Sequence, residues 1–534
     1  MNALLVLFGA QLSGEAFQPL FNGKNSIFFA LEQSKNFPGV GKTVFFAGEN
    51  CDEAALQGLS GIDVEKQVFW TKKSLLETVS RLSAGFDCVY FSWADCPFLD
   101  VPLAAAMAKR HIDYAAGYSY ADGWPYGLAP EIISPSTAGI LAKILGEDDG
   151  GPVTRDAIFS VIQKDINAFD IETEISPLDL RCHRINLCAD SRRNLLLLSR
   201  FAAEAGKIPR ADDVQRLICE RPGILRTLPA FYPVQVYAGC PQACTICPYP
   251  QAVKEAGPVT GRKEYMEPEK FGLLLDKIAA FSQDAVIGLS LWGELALHPE
   301  KMVLIEMVLA RPDFALVIET SGLGWKTEEL EKCAGLAHNS KTGNSQTAGR
   351  KNSLPALSWI VSLDAADPLR YKEIRGSGFA EANDCAKKLF SLFPKDTYVQ
   401  AVRTQGGEDD IEKFYRSWKE AAPCGEANII IQKYDDFCGF LEKKQASDIS
   451  PVIRQPCWHI MRDMPVLLDG TVPLCREDLS LLKGQANNGR ILGNIFNDTM
   501  ESIWGNGERY YMEQCGRIYN GLCAGCDEYY TYNF

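Results

Sequence analysis

Two series of alternating strand and helix patterns, followed by a tail with scattered cysteines, predict an α/β protein. Three parts are expected: a doubly wound amino-terminal domain, an open (β/α)6 barrel and a small carboxyl-terminal domain held by cysteines. Three observations carry this reading. The first 200 or so residues alternate apolar runs with amphipathic ones. A second alternating series starts at Phe231, and the pattern breaks into short turns around cysteines after about Phe440. At 534 residues the chain is too long for one ordinary core, and two to four domains are expected. The expected divisions are 1–202, a helical linker at 203–230, 231–440 and 441–534.

The elements follow in order. LLVLFG, TVFFAG, CVYFSW and IDYAAGYS read as strands of the first domain, with SLLETVSRL and LAAAMAKR as helices between them. That alternation predicts a doubly wound parallel sheet. The amino-terminal run MNALLVLFGAQ has no positive leader or small-residue cleavage site and reads as a buried first strand. From about Ala203 to Leu228 a polar helical stretch leads on. The second series has strands at YPVQVYAG, AVIGLSLWG, FALVIETSG, LSWIVSLDA, TYVQAVRT and ANIIIQKY. PEKFGLLLDKIAAF, EKMVLIEMVLA and DIEKFYRSWKEA are helical between them. Six such repeats in about 200 residues suit an open barrel better than a full eight-unit one. His338–Ser353 is polar and is expected as an inserted surface loop.

Composition excludes several classes. Hydrophobic residues at 46% and charged residues at 23% fit a soluble globular protein. A net charge of −14 without any basic run argues against nucleic acid and anionic membrane as partners. No apolar stretch reaches the roughly 18 residues that span a bilayer. Eighteen cysteines against five scattered histidines, in a chain expected to be cytoplasmic, point to thiolate–metal chemistry rather than disulfides or a histidine-rich zinc site.

VYAGCPQACTICPYP sets Cys240, Cys244 and Cys247 just after a predicted strand, with gaps of three and two residues. Three thiolates on one short loop can hold three corners of a cubane iron–sulfur cluster and leave its fourth iron open. An open iron can bind a cofactor or substrate and pass an electron to it. Ligands at the carboxyl end of a barrel strand also face the active-site mouth. Three buried thiols or a zinc loop are the alternatives on spacing alone.

From these cysteines onward the chain resembles the radical S-adenosylmethionine enzymes. LWGELALHP is similar to their glycine–glutamate motif, which contacts the methionine amino group. It maps to Gly293 and Glu294, with Trp292 where a second glycine is common. ETSGL resembles their polar turn after the third strand, with Ser321 in place of asparagine. SLDAADPLRYKEIRG resembles the segment whose serine and arginine hold the ribose or carboxylate, here Ser362 and Arg375. Ile246 stands where many members carry an aromatic residue. A carboxylate suits an ammonium group, and an arginine suits a carboxylate through paired hydrogen bonds. The resemblance implies a [4Fe-4S] cluster, S-adenosyl-L-methionine, a peptide or small-molecule substrate, and an electron donor such as flavodoxin or ferredoxin.

In the tail, Cys457 and Cys475 flank a strand, an Asp469–Gly470 turn and a second strand, and Cys523 and Cys526 form a CxxC. Zinc and a four-iron cluster both accept four thiolates in that arrangement. The region resembles the SPASM auxiliary-cluster domain in its shortened, one-cluster form, which implies a second [4Fe-4S] cluster that transfers electrons. Cys515 reads as structural, and so do Cys51, Cys88, Cys96, Cys182, Cys188, Cys219, Cys333, Cys385, Cys424 and Cys438, as buried small residues.

CVYFSWADCPFLDVPLAAAMAKRH resembles the central strand and helix of nucleotidyltransferases, with Asp95 where their metal-binding aspartate stands. GKNSIFFALEQ and SPLDLR, with Asp179, resemble flanking motifs. The basic, glycine-rich phosphate loop expected after the first strand is missing, since LFGAQLSGEAFQPL has no Arg or Lys. A degenerate domain kept for binding or architecture is therefore expected. The whole arrangement resembles a SPASM-bearing protein type met in spirochaetes. Two competing readings are a nucleotidyltransferase acting through Asp95 with regulatory iron–sulfur centres, and a non-catalytic redox scaffold.

Overall fold

The computed structural model describes residues 1–49, 58, 60–148, 150–256, 264–342, 355–421, 428–483 and 490–531. They form two compact units, Met1–Thr227 and Leu228–Phe534. Among the described residues no helix is long and apolar enough to cross a membrane.

The first unit is built on a seven-stranded sheet. Its strands are β1 (Ala3–Phe8), β2 (Val40–Gly48), β3 (Asp63–Gln67), β4 (Cys88–Trp93), β5 (Tyr118–Asp122), β6 (Glu131–Ile133) and β7 (Ile171–Ile175). Their order is β3-β2-β1-β4-β6-β5-β7. Every pairing is parallel except those of β6, which runs antiparallel to both neighbours. The sheet is thus mixed where a wholly parallel one was expected. Central β1 and β4 are buried along their full length, which is why they read as unbroken apolar runs. The strand expected at IDYAAGYS begins later. Ile112 and Asp113 close the helix Val101–Asp113, Ala115 turns the chain at φ 50°, and β5 starts at Tyr118. Strands β3, β6 and β7 (DVEKQ, EII, IETEI) are too polar or too short to show in the pattern. The stretch expected as a linker is mostly part of this unit. Its helix Ala211–Glu220 buries Val214, Leu217 and Ile218, and the Ala211 N–H donates to Asp100 Oδ2 at 3.0 Å.

The second unit carries the six expected strands: β8 (Phe231–Pro233), β9 (Ala285–Gly288), β10 (Phe314–Thr320), β11 (Leu357–Ser362), β12 (Thr397–Arg403) and β13 (Asn428–Lys433). They pair in sequence order, all parallel, as an open partial barrel. The helices Pro268–Ser282, Lys301–Leu309 and Glu408–Ala421 lie where the periodicity places them. The loop expected from His338 begins later, because the helix Thr327–Thr342 runs through its first five residues; 343–354 lie outside the described residues.

The small carboxyl-terminal part shares its core with the barrel. Residues Cys457, Ile460, Met464, Val466, Val472 and Leu474 belong to the same buried core as the barrel helices. Met464–Val466 was expected to form a hairpin with Thr471–Pro473 across the Asp469–Gly470 turn. Instead it lies parallel to β8: Met464 N–H donates to Phe231 O and Val466 N–H to Pro233 O, both at 2.9 Å, and Gln235 N–H returns to Val466 O at 2.9 Å. Strand β14 (Thr471–Pro473) pairs with β15 (Ile491–Asn494). The free edge of β8 offers unpaired backbone groups, and satisfying them outweighs a local hairpin.

Asp95 tests the nucleotidyltransferase reading within the first unit. It follows β4, is 1% exposed, and both its oxygens accept from the Arg155 guanidinium, at 2.8 and 2.6 Å. Arg155 lies over the Trp93 ring, 4.3 Å from its centroid. A guanidinium thus holds the carboxylate where a metal would be needed. Asp179 is exposed and paired with Arg181 at 2.9 Å. Breaking a buried pair from one side strands the other charge. Arg155→Met should therefore destabilise the Met1–Thr227 unit by about 3 kcal/mol, the low end for a partly exposed partner. Its unfolding transition in urea measures this, and an unmoved midpoint would show that the pair does not hold Asp95.

Candidate active site

The site forms at the carboxyl ends of the barrel strands, where the lumen changes character. Inward-facing Phe231, Val286, Ala315, Val317 and Ile360 make a small apolar plug, with Tyr398 and Ile430 packed against it. Further along the same faces come Ser290, Glu319, Ser362, Gln400 and Gln432, in keeping with the two-residue period of a strand. These polar groups floor a cavity of about 1210 Å³ that opens to solvent.

Cys240, Cys244 and Cys247 line this cavity, and so do Gly293, Glu294, Ser321, Ser362 and Arg375. Every residue singled out around the first cysteine motif therefore reaches one place. The loop that carries the cysteines is tied down at several points. Thr245 N–H donates to Ile374 O at 2.9 Å, Gln242 Nε2 donates to Tyr371 Oη at 2.9 Å, and Glu294 N–H donates to Gly239 O at 2.8 Å. Burial pushes the Cys247 thiol up to about 12 and raises Cys244 as well, whereas Cys240 is exposed. Neutral thiols are thus favoured until a cation pays their ionisation.

Glu294 is buried, and burial raises its carboxyl above the usual range. Thr320 Oγ1 donates to Oε1 at 2.7 Å and Ser321 N–H to Oε2 at 2.8 Å, so the polar turn after β10 aims this carboxylate. Gly293 is required by space: a Cβ there would lie 1.8 Å from the Tyr237 carbonyl oxygen. Trp292 adopts a left-handed backbone at φ 51°, where the second glycine of the motif would be unstrained. Its ring sits 5.9 Å from that of Phe437 on the cavity wall.

Two residues have partners that no local pattern signals. Arg375 bonds Asp364 through Nη1 and donates from Nε to Gln242 Oε1 at 3.2 Å, tying the cysteine loop to the strand end after β11. Ser362 Oγ donates to Glu319 Oε1 at 3.2 Å, and Gln400 Nε2 donates to the same oxygen at 3.0 Å. Glu319 and Gln400 line the cavity without having been singled out in the sequence; their place on the lumen face was the available signal.

The four tail cysteines, Cys457, Cys475, Cys523 and Cys526, line a second, smaller cavity. Main-chain N–H groups of Glu477 and Glu528 point at the sulfurs of Cys475 and Cys526, at 3.4 and 3.3 Å, and Arg490 Nη1 lies 3.5 Å from Cys523 Sγ. Cys438, expected as an ordinary packed residue, lines the same cavity. Cys88, Cys96, Cys188, Cys333 and Cys385 are buried as expected, whereas Cys182 and Cys219 are exposed; Cys51 and Cys424 lie outside the described residues. Cys515 packs against the core.

Comparison with known proteins adds four findings. Residues 457–527 match the SPASM iron–sulfur cluster-binding domain. An uncharacterized protein of Treponema pallidum is 34% identical over 386 residues, covering 71% of this chain and 98% of that protein. Among solved structures, a cytidylyltransferase from Leptospira borgpetersenii is similar at 17% identity, over 42% of this chain and 96% of that one, with a TM-score of 0.37. BtrN in complex with AdoMet and 2-DOIA is similar at 16% identity, over 56% and 94%, with a TM-score of 0.35.

The contact at Gly293 sets a stability test with its own control. Gly293→Ala should cost about 1–3 kcal/mol, the scale of overpacking a tight site. Gly335→Ala, in an exposed helix position where the added methyl meets no atom within 4 Å, should be neutral or stabilising by up to about 1 kcal/mol. Equal melting temperatures in the two variants would show that the Tyr237 contact imposes nothing.

Proposed function

We propose that the chain, which belongs to one family with the Treponema pallidum protein and matches the SPASM domain over residues 457–527, is a radical S-adenosylmethionine enzyme. Its product would be a 5′-deoxyadenosyl radical that abstracts hydrogen from a peptide or small-molecule substrate, and Cys457, Cys475, Cys523 and Cys526 would hold a cluster able to accept the electron left behind. The observation that carries the reading is the meeting of Cys240, Cys244, Cys247, Glu294, Ser362 and Arg375 in one cavity.

The donor sets fit the groups this requires. Three thiols and no fourth from that loop suit a [4Fe-4S] cluster with one open iron. The tail cavity, walled by thiols with N–H donors aimed at their sulfurs, suits a second, fully ligated cluster. A cluster held by Cys240, Cys244 and Cys247 would, when reduced, supply the electron that splits S-adenosylmethionine into methionine and the radical. Glu294 is aimed to accept a hydrogen bond from the cofactor's amino group. Ser362 borders the place of the ribose or carboxylate. Arg375 works at one remove, because its bonds to Asp364 and Gln242 hold the cysteine loop in position. The apolar plug below the polar floor excludes water from the lumen.

In this reading 231–440 makes the radical, 441–534 holds the auxiliary cluster, and 1–202 is a nucleotidyltransferase-like domain kept for binding or architecture. A flavodoxin or ferredoxin in a reducing cytoplasm supplies electrons.

The two roles within the site are separable. Anaerobically reconstituted protein should contain about eight irons, four per cubane. Glu294→Ala should keep that iron and weaken S-adenosylmethionine binding by about 1.5–3 kcal/mol, the scale of a lost charged hydrogen bond. Arg375→Ala should lose iron as well as affinity. Cys240→Ala should abolish 5′-deoxyadenosine formation under dithionite. Full cleavage by Cys240→Ala would refute the proposal, and intact iron with normal affinity in Arg375→Ala would refute its positioning role.

A further inference from the structure

The proposed cofactor contacts leave Glu319 unused. It stands near the end of β10, the third of the six barrel strands, and its N–H donates to Ser290 Oγ at 2.7 Å. The next two strands steer its side chain. Ser362 Oγ from β11 and Gln400 Nε2 from β12 both donate to Oε1, at 3.2 and 3.0 Å, and both donor residues are buried. Gln400 Nε2 also reaches Ser362 Oγ at 3.4 Å, so the two donors are tied to each other. All of this support falls on one oxygen. Among the described residues Oε2 accepts no hydrogen bond, and no lysine or arginine pairs with Glu319.

The basic groups at the cavity, by contrast, are already answered. Arg375 pairs with Asp364. Lys433 pairs with Asp527 at 2.8 Å and with Glu528, and Arg476 Nε donates to Glu477 Oε1 at 3.0 Å. An anionic substrate would find each of these cations engaged and would meet the Glu319 charge instead. A cationic one would find a carboxylate oxygen held in place and ready to accept. Trp292, Val402 and Phe437 give the same cavity apolar walls, which suit hydrocarbon.

We propose that Glu319 is the substrate anchor, its Oε2 accepting from the ammonium group of a primary amine whose hydrocarbon stem lies along those walls. This rests on the radical S-adenosylmethionine reading of the same cavity and names its substrate class. Ser362 and Gln400 position the carboxylate by occupying Oε1. The carbon stem then lies in the cavity that Cys240, Cys244 and Cys247 line.

The test uses the full chain, reconstituted anaerobically, loaded with S-adenosylmethionine and titrated by NMR at constant salt. The probes are n-pentylammonium, n-pentanol and n-pentanoate, alike in length and different in charge. Pentylammonium should bind at least about tenfold tighter than the other two, the scale of a charged hydrogen bond. Glu319→Gln should bring it level with pentanol, whereas Glu306→Gln, at an exposed helix position, should leave the preference intact. Nα-acetyl-lysine N-methylamide, run alongside, tells a lysyl side chain from a free amine by which of the two binds tighter. Pentanoate binding as tightly as pentylammonium to the unaltered protein would overturn the proposal without any variant. So would an amine preference that survives in Glu319→Gln, or a tenfold loss of S-adenosylmethionine affinity there, which would give the carboxylate to the cofactor. Failure of the underlying reading looks different, because iron-loaded unaltered protein would then form no 5′-deoxyadenosine under dithionite, whatever it binds.

Discussion

The Leu228–Phe534 unit depends on how an open parallel sheet is finished at its edge. Six strands paired in sequence order leave β8 with one unpaired side, and a bare edge is both a cost and an invitation to aggregate. The tail resolves this by laying Met464–Val466 along β8. The same stretch lies between Cys457 and Cys475, so closing the sheet also fixes two thiols of the tail cavity. At the other side of the barrel Thr404 bridges Gln445, and Lys433 at the end of β13 pairs with Asp527 at 2.8 Å, next to Cys526. The tail cysteines are therefore held by the architecture of the barrel, and the distance between the two thiol-lined cavities is set by backbone hydrogen bonds rather than by a flexible joint.

A second constraint is charge placed out of water. Glu294, Asp364 and Arg375 are all buried or nearly so at the cavity, and each is answered by a specific partner. Burying an ion without a partner costs several kcal/mol, so these side chains are committed to one geometry. That commitment gives the site its rigidity before any cofactor binds. It also explains why Arg375 serves the cysteine loop: its guanidinium already bridges Asp364 and Gln242.

Much of this was legible in the sequence where the signal is local. The six barrel strands are apolar or β-branched runs ending in polar residues, and their order follows from the helices between them. The three cysteines, Gly293 and Glu294 stand at fixed places after those strands. What escaped was non-local. Met464–Val466 reads as half of a hairpin because the Asp469–Gly470 turn is a strong cue, and nothing in its composition announces the β8 edge. DVEKQ does not read as a strand because it is an edge strand with little to bury. Cys438 has no ligand spacing to any other cysteine; only folding brings it to the cavity lined by the tail cysteines. The Asp95–Arg155 pair is invisible for the same reason, and it is the feature that sets the first unit apart from a metal-dependent nucleotidyltransferase site.

In the proposed function, the loop of Cys240, Cys244 and Cys247 leaves one iron of its cluster open to S-adenosylmethionine. Electron–nuclear double resonance on the reduced protein, with S-adenosylmethionine carrying ¹⁵N in its amino group, addresses that iron directly. A nitrogen coupling to the reduced cluster is predicted, and it should persist when Cys457 is changed to Ala. Iron-loaded protein that shows no such coupling would contradict the account.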